Sequence, residues 1–112
     1  MSNELLQSIA NAVAEQVYEY LLRRLPPELI EDLVINVRFT DPERQELEIS
    51  IDALTNPLLS NVGSIVDEAV EFGFKIADHL MELLRRGELS NVQPGGIEEI
   101  ARKYAKRLRN NP

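Results

Sequence analysis

The sequence predicts an α+β fold: an α-β-β-α core, with an antiparallel hairpin packed on helices, plus a C-terminal helix. Three observations carry this. Apolar residues recur at helical spacing over residues 3–24 and again over 63–86. Between these segments the period switches to two, in LVINVRF (33–39) and ELEISIDAL (46–54). After Gly87 a helical pattern returns over about 94–110. At 112 residues the chain makes a single domain, its core over about 3–86 and its helical extension over about 94–110.

The first helix takes Leu5, Ile9, Ala12, Val13, Val17, Tyr20 and Leu21 on one side, with Glu4, Gln7, Ser8, Asn11, Glu15 and Glu19 mostly opposite. Ser2 or Asn3 caps its start, and Arg23 and Arg24 complement the negative end of its dipole. Pro26-Pro27 stops it, because proline lacks a donor and pushes the preceding residue out of the helical region.

In the hairpin, Leu33, Ile35, Val37 and Phe39 alternate with Val34, Asn36 and Arg38. Leu47, Ile49, Ile51 and Ala53 alternate with Glu46, Glu48, Ser50 and Asp52. The intervening TDPER supplies turn chemistry, with Pro42 suited to the second turn position. A lone two-stranded sheet is marginally stable, and both of its strands are edges.

The second helix gathers its charges and His79 within roughly 120° and is apolar around the rest, wider than an ordinary surface helix. It is expected to be the central helix or an oligomer seam. Ser64 reads as its N-cap, with Asp67 three residues on, and Gly87 as the residue that ends it. Ile97, Ile100, Ala101, Tyr104 and Leu108 mark the third helix, with Glu98 and Glu99 near its start.

Composition narrows the function classes. There is no Cys, which excludes disulfides, thiolate metal sites and cysteine nucleophiles. No run of about 18 apolar residues spans a membrane, and MSNELLQSIANAV carries no basic leader, so a cytoplasmic location is expected. The net charge is −7. Residues 97–112 hold five cations against two carboxylates, so the other 96 residues carry −10. An acidic body argues against wrapping nucleic acid broadly.

No catalytic residue, cofactor-binding residue or metal ligand is assigned, and no cofactor is expected. His79 with Asp78 and Glu82 supplies too few converging ligands for a metal-dependent hydrolase, so His79 reads as a solvated helix residue. Gly95-Gly96 lacks a phosphate-loop setting and reads as a hinge. Ala69, Gly73 and Ala77 form a small-residue line that admits close approach, either of a second subunit or of the protein's own hairpin or first helix. With Phe72 and Leu80 they make the expected oligomer interface. Arg102, Lys103, Lys106 and Arg107 are the residues that would make weak RNA contact, although little aromatic residue interleaves them.

The succession of helix, acidic-patterned hairpin (DLVINVRF and ELEISIDAL) and IVDEAVEFGFKIAD helix resembles a small family of uncharacterised archaeal proteins over about residues 4–86. The resemblance implies a helix–hairpin–helix plan in a cytoplasmic archaeal protein, encoded near a prefoldin subunit and tRNA-modification components. It supplies no catalytic residues. The expected function is therefore a non-enzymatic interaction or assembly component, a homodimer or part of a larger complex. The alternative is an accessory subunit of a KEOPS-like tRNA-modifying complex that touches RNA through the basic third helix.

Overall fold

The computed structural model of the chain describes residues 3–41 and 43–110. Its elements follow as α1 (Asn3–Arg24), a 3₁₀ turn (Pro27–Leu29), β1 (Ile30–Asp41), β2 (Glu46–Thr55), α2 (Val62–Arg85) and α3 (Pro94–Asn110). Helices and an antiparallel hairpin thus form the expected α+β fold. Ser2 and Pro42, singled out for the first cap and the hairpin turn, lie outside the described residues.

The two strands pair with Leu33 opposite Ala53, Ile35 opposite Ile51, Val37 opposite Ile49 and Phe39 opposite Leu47. All eight side chains therefore share one face, as their alternation requires. The register shifts between Ile30 and Asp32 and again between Phe39 and Asp41. At the turn Gln45 adopts a left-handed conformation (φ 59°), and the Asp41 carboxylate accepts the Arg44 N–H at 3.3 Å. Pairing starts three residues earlier than the alternation in LVINVRF shows, because the shift at Glu31 interrupts the period there.

The helices form the layer under this hairpin, with α1 beneath β1 and α2 beneath β2. α1 and α2 run antiparallel and are tied at one end by an ionic cluster. Arg24 Nη1 lies 2.6 Å from Glu68 Oε2 and donates to the Tyr20 oxygen at 2.7 Å; the Tyr20 hydroxyl donates to Glu68. The Tyr20 ring packs 4.8 Å from that of Phe72. Burial raises the Tyr20 phenol above its usual pKa, the nearby Arg24 charge opposes this, and the Glu68 bond adds to it.

The helix that everything else surrounds is α1, and not α2 as its wide apolar arc led us to expect. α1 meets α2, β1 and α3, and it buries Leu6, Ile9, Ala10, Ala12, Val13, Gln16, Val17 and Leu21. α3 closes its third side with Ile97, Ala101 and Ala105, all fully buried, so the C-terminal helix is docked.

α2 ends as expected. Gly87 takes φ +76°, its N–H bonds to Leu84 O at 3.0 Å and the Glu88 N–H bonds to Leu83 O at 2.9 Å, a Schellman closure. Its start differs. The capping position belongs to Asn61 in a left-handed conformation (φ 63°), with no side-chain capping bond, and Ser64 lies inside the first turn. Gly95-Gly96 likewise lie within the first turn of α3, where Gln93 O receives the Gly96 and Ile97 N–H groups, so they are not a hinge. Among the described residues no helix is long and apolar enough to cross a membrane.

Candidate interaction site

Ala69, Phe72, Gly73, Ala77 and Leu80, the expected oligomer interface, are all buried inside the protomer. Gly73 shows what occupies the small-residue line. A Cβ built there would stand 2.7 Å from Val17 Cγ2 on α1 and 2.8 Å from Ile49 Cδ1 on β2. The close approach that these residues permit is thus made by the protein's own helix and hairpin. A second subunit has no access to this line in the folded chain.

Two other surfaces remain open. The first is the hairpin. Its strands are 12 and 10 residues long, and each is hydrogen-bonded on one side only. Among its eight inner-face residues only Ile49 is buried, whereas Leu33, Ile35, Val37, Phe39, Leu47, Ile51 and Ala53 are half-buried. Two helices do not cover the whole width of the hairpin. On the side of β1 away from β2, a groove of about 350 Å³ is lined by Tyr18 and Leu22 of α1 and by Pro27, Ile30, Glu31, Asp32 and Leu33. Tyr18 stands 47% exposed at its wall. The outer faces differ in charge: β2 presents Glu46, Glu48 and Asp52, while β1 presents Asp32, Val34, Asn36 and Arg38. Arg38 reaches Glu48 across the hairpin at 3.6 Å, an exposed pair of little energetic weight.

The second surface is a shelf of about 550 Å³ where α3 meets α2, lined by His79, Ile100, Lys103, Tyr104, Lys106, Arg107 and Asn110. His79 is half-buried with its imidazole stacked on Tyr104, ring centroids 3.9 Å apart and planes within 3°. It is not the solvated residue expected from its place on the charged arc. That arc adjoins α3, whose docking the periodicity of α2 alone does not reveal. Desolvation lowers the His79 pKa, and the charges of Arg107 and Arg86 lower it further. Glu82 pairs with Arg85 at 3.0 Å and Arg86 at 3.3 Å, and its pKa falls chiefly through the Arg85 hydrogen bond. Among the described residues no three histidine or carboxylate side chains converge as metal ligands would.

The basic residues of α3 divide. Arg102 is engaged, paired with Glu99 one turn back and with Glu15 of α1 at 3.6 Å, and Lys103 lies 4.0 Å from Glu99. Lys106 and Arg107 have no carboxylate partner among the described residues. The Arg107 guanidinium instead lies 5.3 Å from the Tyr104 ring centre. Tyr104 thus meets both His79 and Arg107, a juxtaposition that sequence spacing hinted at only through the i, i+3 relation of Tyr104 and Arg107.

Residues 1–80 match the family described as "Protein of unknown function (DUF3194)", which takes in α1, the hairpin and most of α2 and leaves α3 outside. No curated protein and no solved structure matches the chain.

Proposed function

The chain belongs to the DUF3194 family, whose function is unknown, and from that starting point we propose that it is a non-enzymatic assembly component, self-associating or built into a larger complex through its hairpin. The observation that carries this reading is the hairpin itself: two long strands with bare outer edges over a half-covered apolar face. Exposed strand edges are templates for pairing, and proteins usually blunt them with bulges, prolines or inward charges. Here the long central stretches, Asp32–Phe39 and Leu47–Leu54, run in unbroken register. We place the protein in the archaeal cytoplasm, as the resemblance of its acidic-patterned hairpin and second helix implies.

The test is the mass of the native protein. Purified gently from its own cells, it is expected to run well above the 12.7 kDa of one chain. Replacing Phe39 and Leu47 by Lys should return it to 12.7 kDa with its helical signal intact. A native protein that runs as a single chain overturns the reading.

A second reading is favoured by one observation, the trio Lys103, Lys106 and Arg107 around the Tyr104 shelf. On this reading the protein is an accessory subunit of a KEOPS-like assembly, and α3 touches tRNA phosphates. Retention of tRNA should then fall steeply with salt and vanish in Lys106→Glu/Arg107→Glu. No retention at low salt removes this reading.

A further inference from the structure

We infer that a second copy of this chain pairs its β1 with the free edge of β1, antiparallel about a two-fold axis at Ile35, to make one continuous four-stranded sheet. This rests on the reading of the hairpin as the contact surface, and it names the partner, the edge and the register.

The edge is chosen by charge. An isologous pairing sets a strand against itself, so each outer-face residue meets its mirror position. Over the full length of β2 this places Glu48 opposite Asp52 twice, and directly opposed like charges are destabilising. Slid by two residues, about Ile51, β2 sets Glu48 against Leu54 and Asp52 against Ser50, with no opposite charges brought together. The same operation on β1 places Asp32 opposite Arg38 of the second copy, twice, and both are exposed. Only this register does so. Shifting by two residues either way, which is the smallest slip that keeps apolar faces aligned, sets Arg38 against Ile30 or Val34. The centred register also uses the regular stretch of the strand, from Asp32 opposite Arg38 of the second copy to Arg38 opposite Asp32.

The groove supplies an independent reason. It lies on the β1 side of the molecule, against Leu33 and over Tyr18 and Leu22 of α1, where no element of the protomer covers it. With the axis at Ile35, Val37 of the second copy lies beside Leu33, and Phe39 of the second copy follows it towards the irregular start of β1. Both belong to the inner, apolar face, so they arrive over the groove. The half-buried state of Val37 and Phe39 and the exposure of Tyr18 are then two sides of one contact.

Sedimentation of the purified full chain across 1–200 µM tests this. A dimer is expected, and Asp32→Arg, which sets arginine against Arg38 twice, should weaken it by about tenfold or more. Within its own hairpin Asp32 faces the neutral Leu54 and accepts the exposed Leu33 N–H at 3.0 Å, so the substitution costs the protomer one exposed hydrogen bond and leaves the β1–β2 pairing in place. Arg38→Asp should weaken the dimer too, and an equimolar mixture of the two variants should dimerise again, since every pair facing across the two copies is then opposite in sign. Because Arg38→Asp also sets a carboxylate against Glu48 in its own hairpin, a denaturant melt of that variant is run beside it to show that the protomer stays folded. Hydrogen exchange of the wild type is expected to show β1 amides gaining protection with concentration while β2 amides do not. A dimer indifferent to Asp32→Arg, a mixture that fails to recover, or protection of β2 instead of β1 overturns the register. A purified chain that stays monomeric at 200 µM overturns the homodimer, while a native complex of higher mass would still uphold the hairpin as a contact surface.

Discussion

Gln16 is the polar residue that lies in the core, 1% exposed, and neither its amide nitrogen nor its amide oxygen has a hydrogen-bond partner among the described residues. An unpaired buried amide costs about 1–3 kcal/mol. Gln16→Leu is therefore expected to stabilise the isolated protein by about 1–2 kcal/mol, seen as a rise of several degrees in a thermal melt. A melt that falls would show that the amide has a partner in solution. The sequence carried a signal for this residue, since Gln16 stands four positions from both Ala12 and Tyr20, which lie on the apolar side of α1. His79 was less legible, because its neighbour Tyr104 stands 25 residues further along the chain, on an element whose docking no spacing announces. The stack contributes about 0.5–1.5 kcal/mol, more than an exposed helix residue would. Its lowered pKa fixes a pH response. The unfolded imidazole takes up a proton near 6.5 and the folded one only at lower pH, so stability is full above 6.5 and is lost as pH falls towards the folded value. His79→Phe, which keeps a ring on Tyr104, should flatten this part of the curve in denaturant titrations at pH 7.5 and 5.5. An unchanged slope would separate His79 from the response.

Among the elements, α2 shows how much spacing reveals and where it stops. Its length, its end at Gly87 and its close-packed line at Ala69, Gly73 and Ala77 were readable from residue type. Which neighbour filled that line was not, because a small-residue stripe looks the same whether a second chain or the protein's own α1 lies against it. With Val17 and Ile49 in contact, Gly73→Leu should cost on the order of 2–3 kcal/mol by overpacking. The loss is expected in denaturant unfolding, and the dissociation constant of any dimer, measured under folding conditions, should move little. Dissociation without loss of protomer stability would put a subunit seam there instead. The start of α2 escaped sequence reading for a different reason. Ser64 has the right chemistry for a cap, but the chain leaving Asn56-Pro57 enters the helix three residues sooner, through a left-handed Asn61. Asparagine is among the few residues that accept that conformation readily.

At the level of the whole molecule, the helical and strand segments were legible and their hierarchy was not. α2 has the cleaner division into charged and apolar arcs, and that division marks a helix with one solvated side. α1 lacks it because it is enclosed on three sides, by the hairpin, α2 and α3. The segment beyond the family match is therefore part of the core's enclosure in this chain. Deleting residues 94–112 removes the buried Ile97, Ala101 and Ala105, should uncover the side of α1 that they close, and should destabilise the remainder by more than about 3 kcal/mol. Dye binding to exposed apolar surface should rise accordingly. A truncated chain as stable as the whole would mean that α3 merely rests on a finished core.

That enclosure sets an order of events during synthesis. α1 is made first, yet the helix that closes its third side begins 70 residues after α1 ends. At about 5–20 residues per second the ribosome takes roughly 4–14 s to supply it. Over that interval the hairpin and α2 can assemble on two sides of α1 while the side that α3 covers stays open to water. The nascent protein thus passes through a stage with a greasy flank, and its safe arrival depends on how quickly translation finishes or on a chaperone that shields α1 until α3 appears.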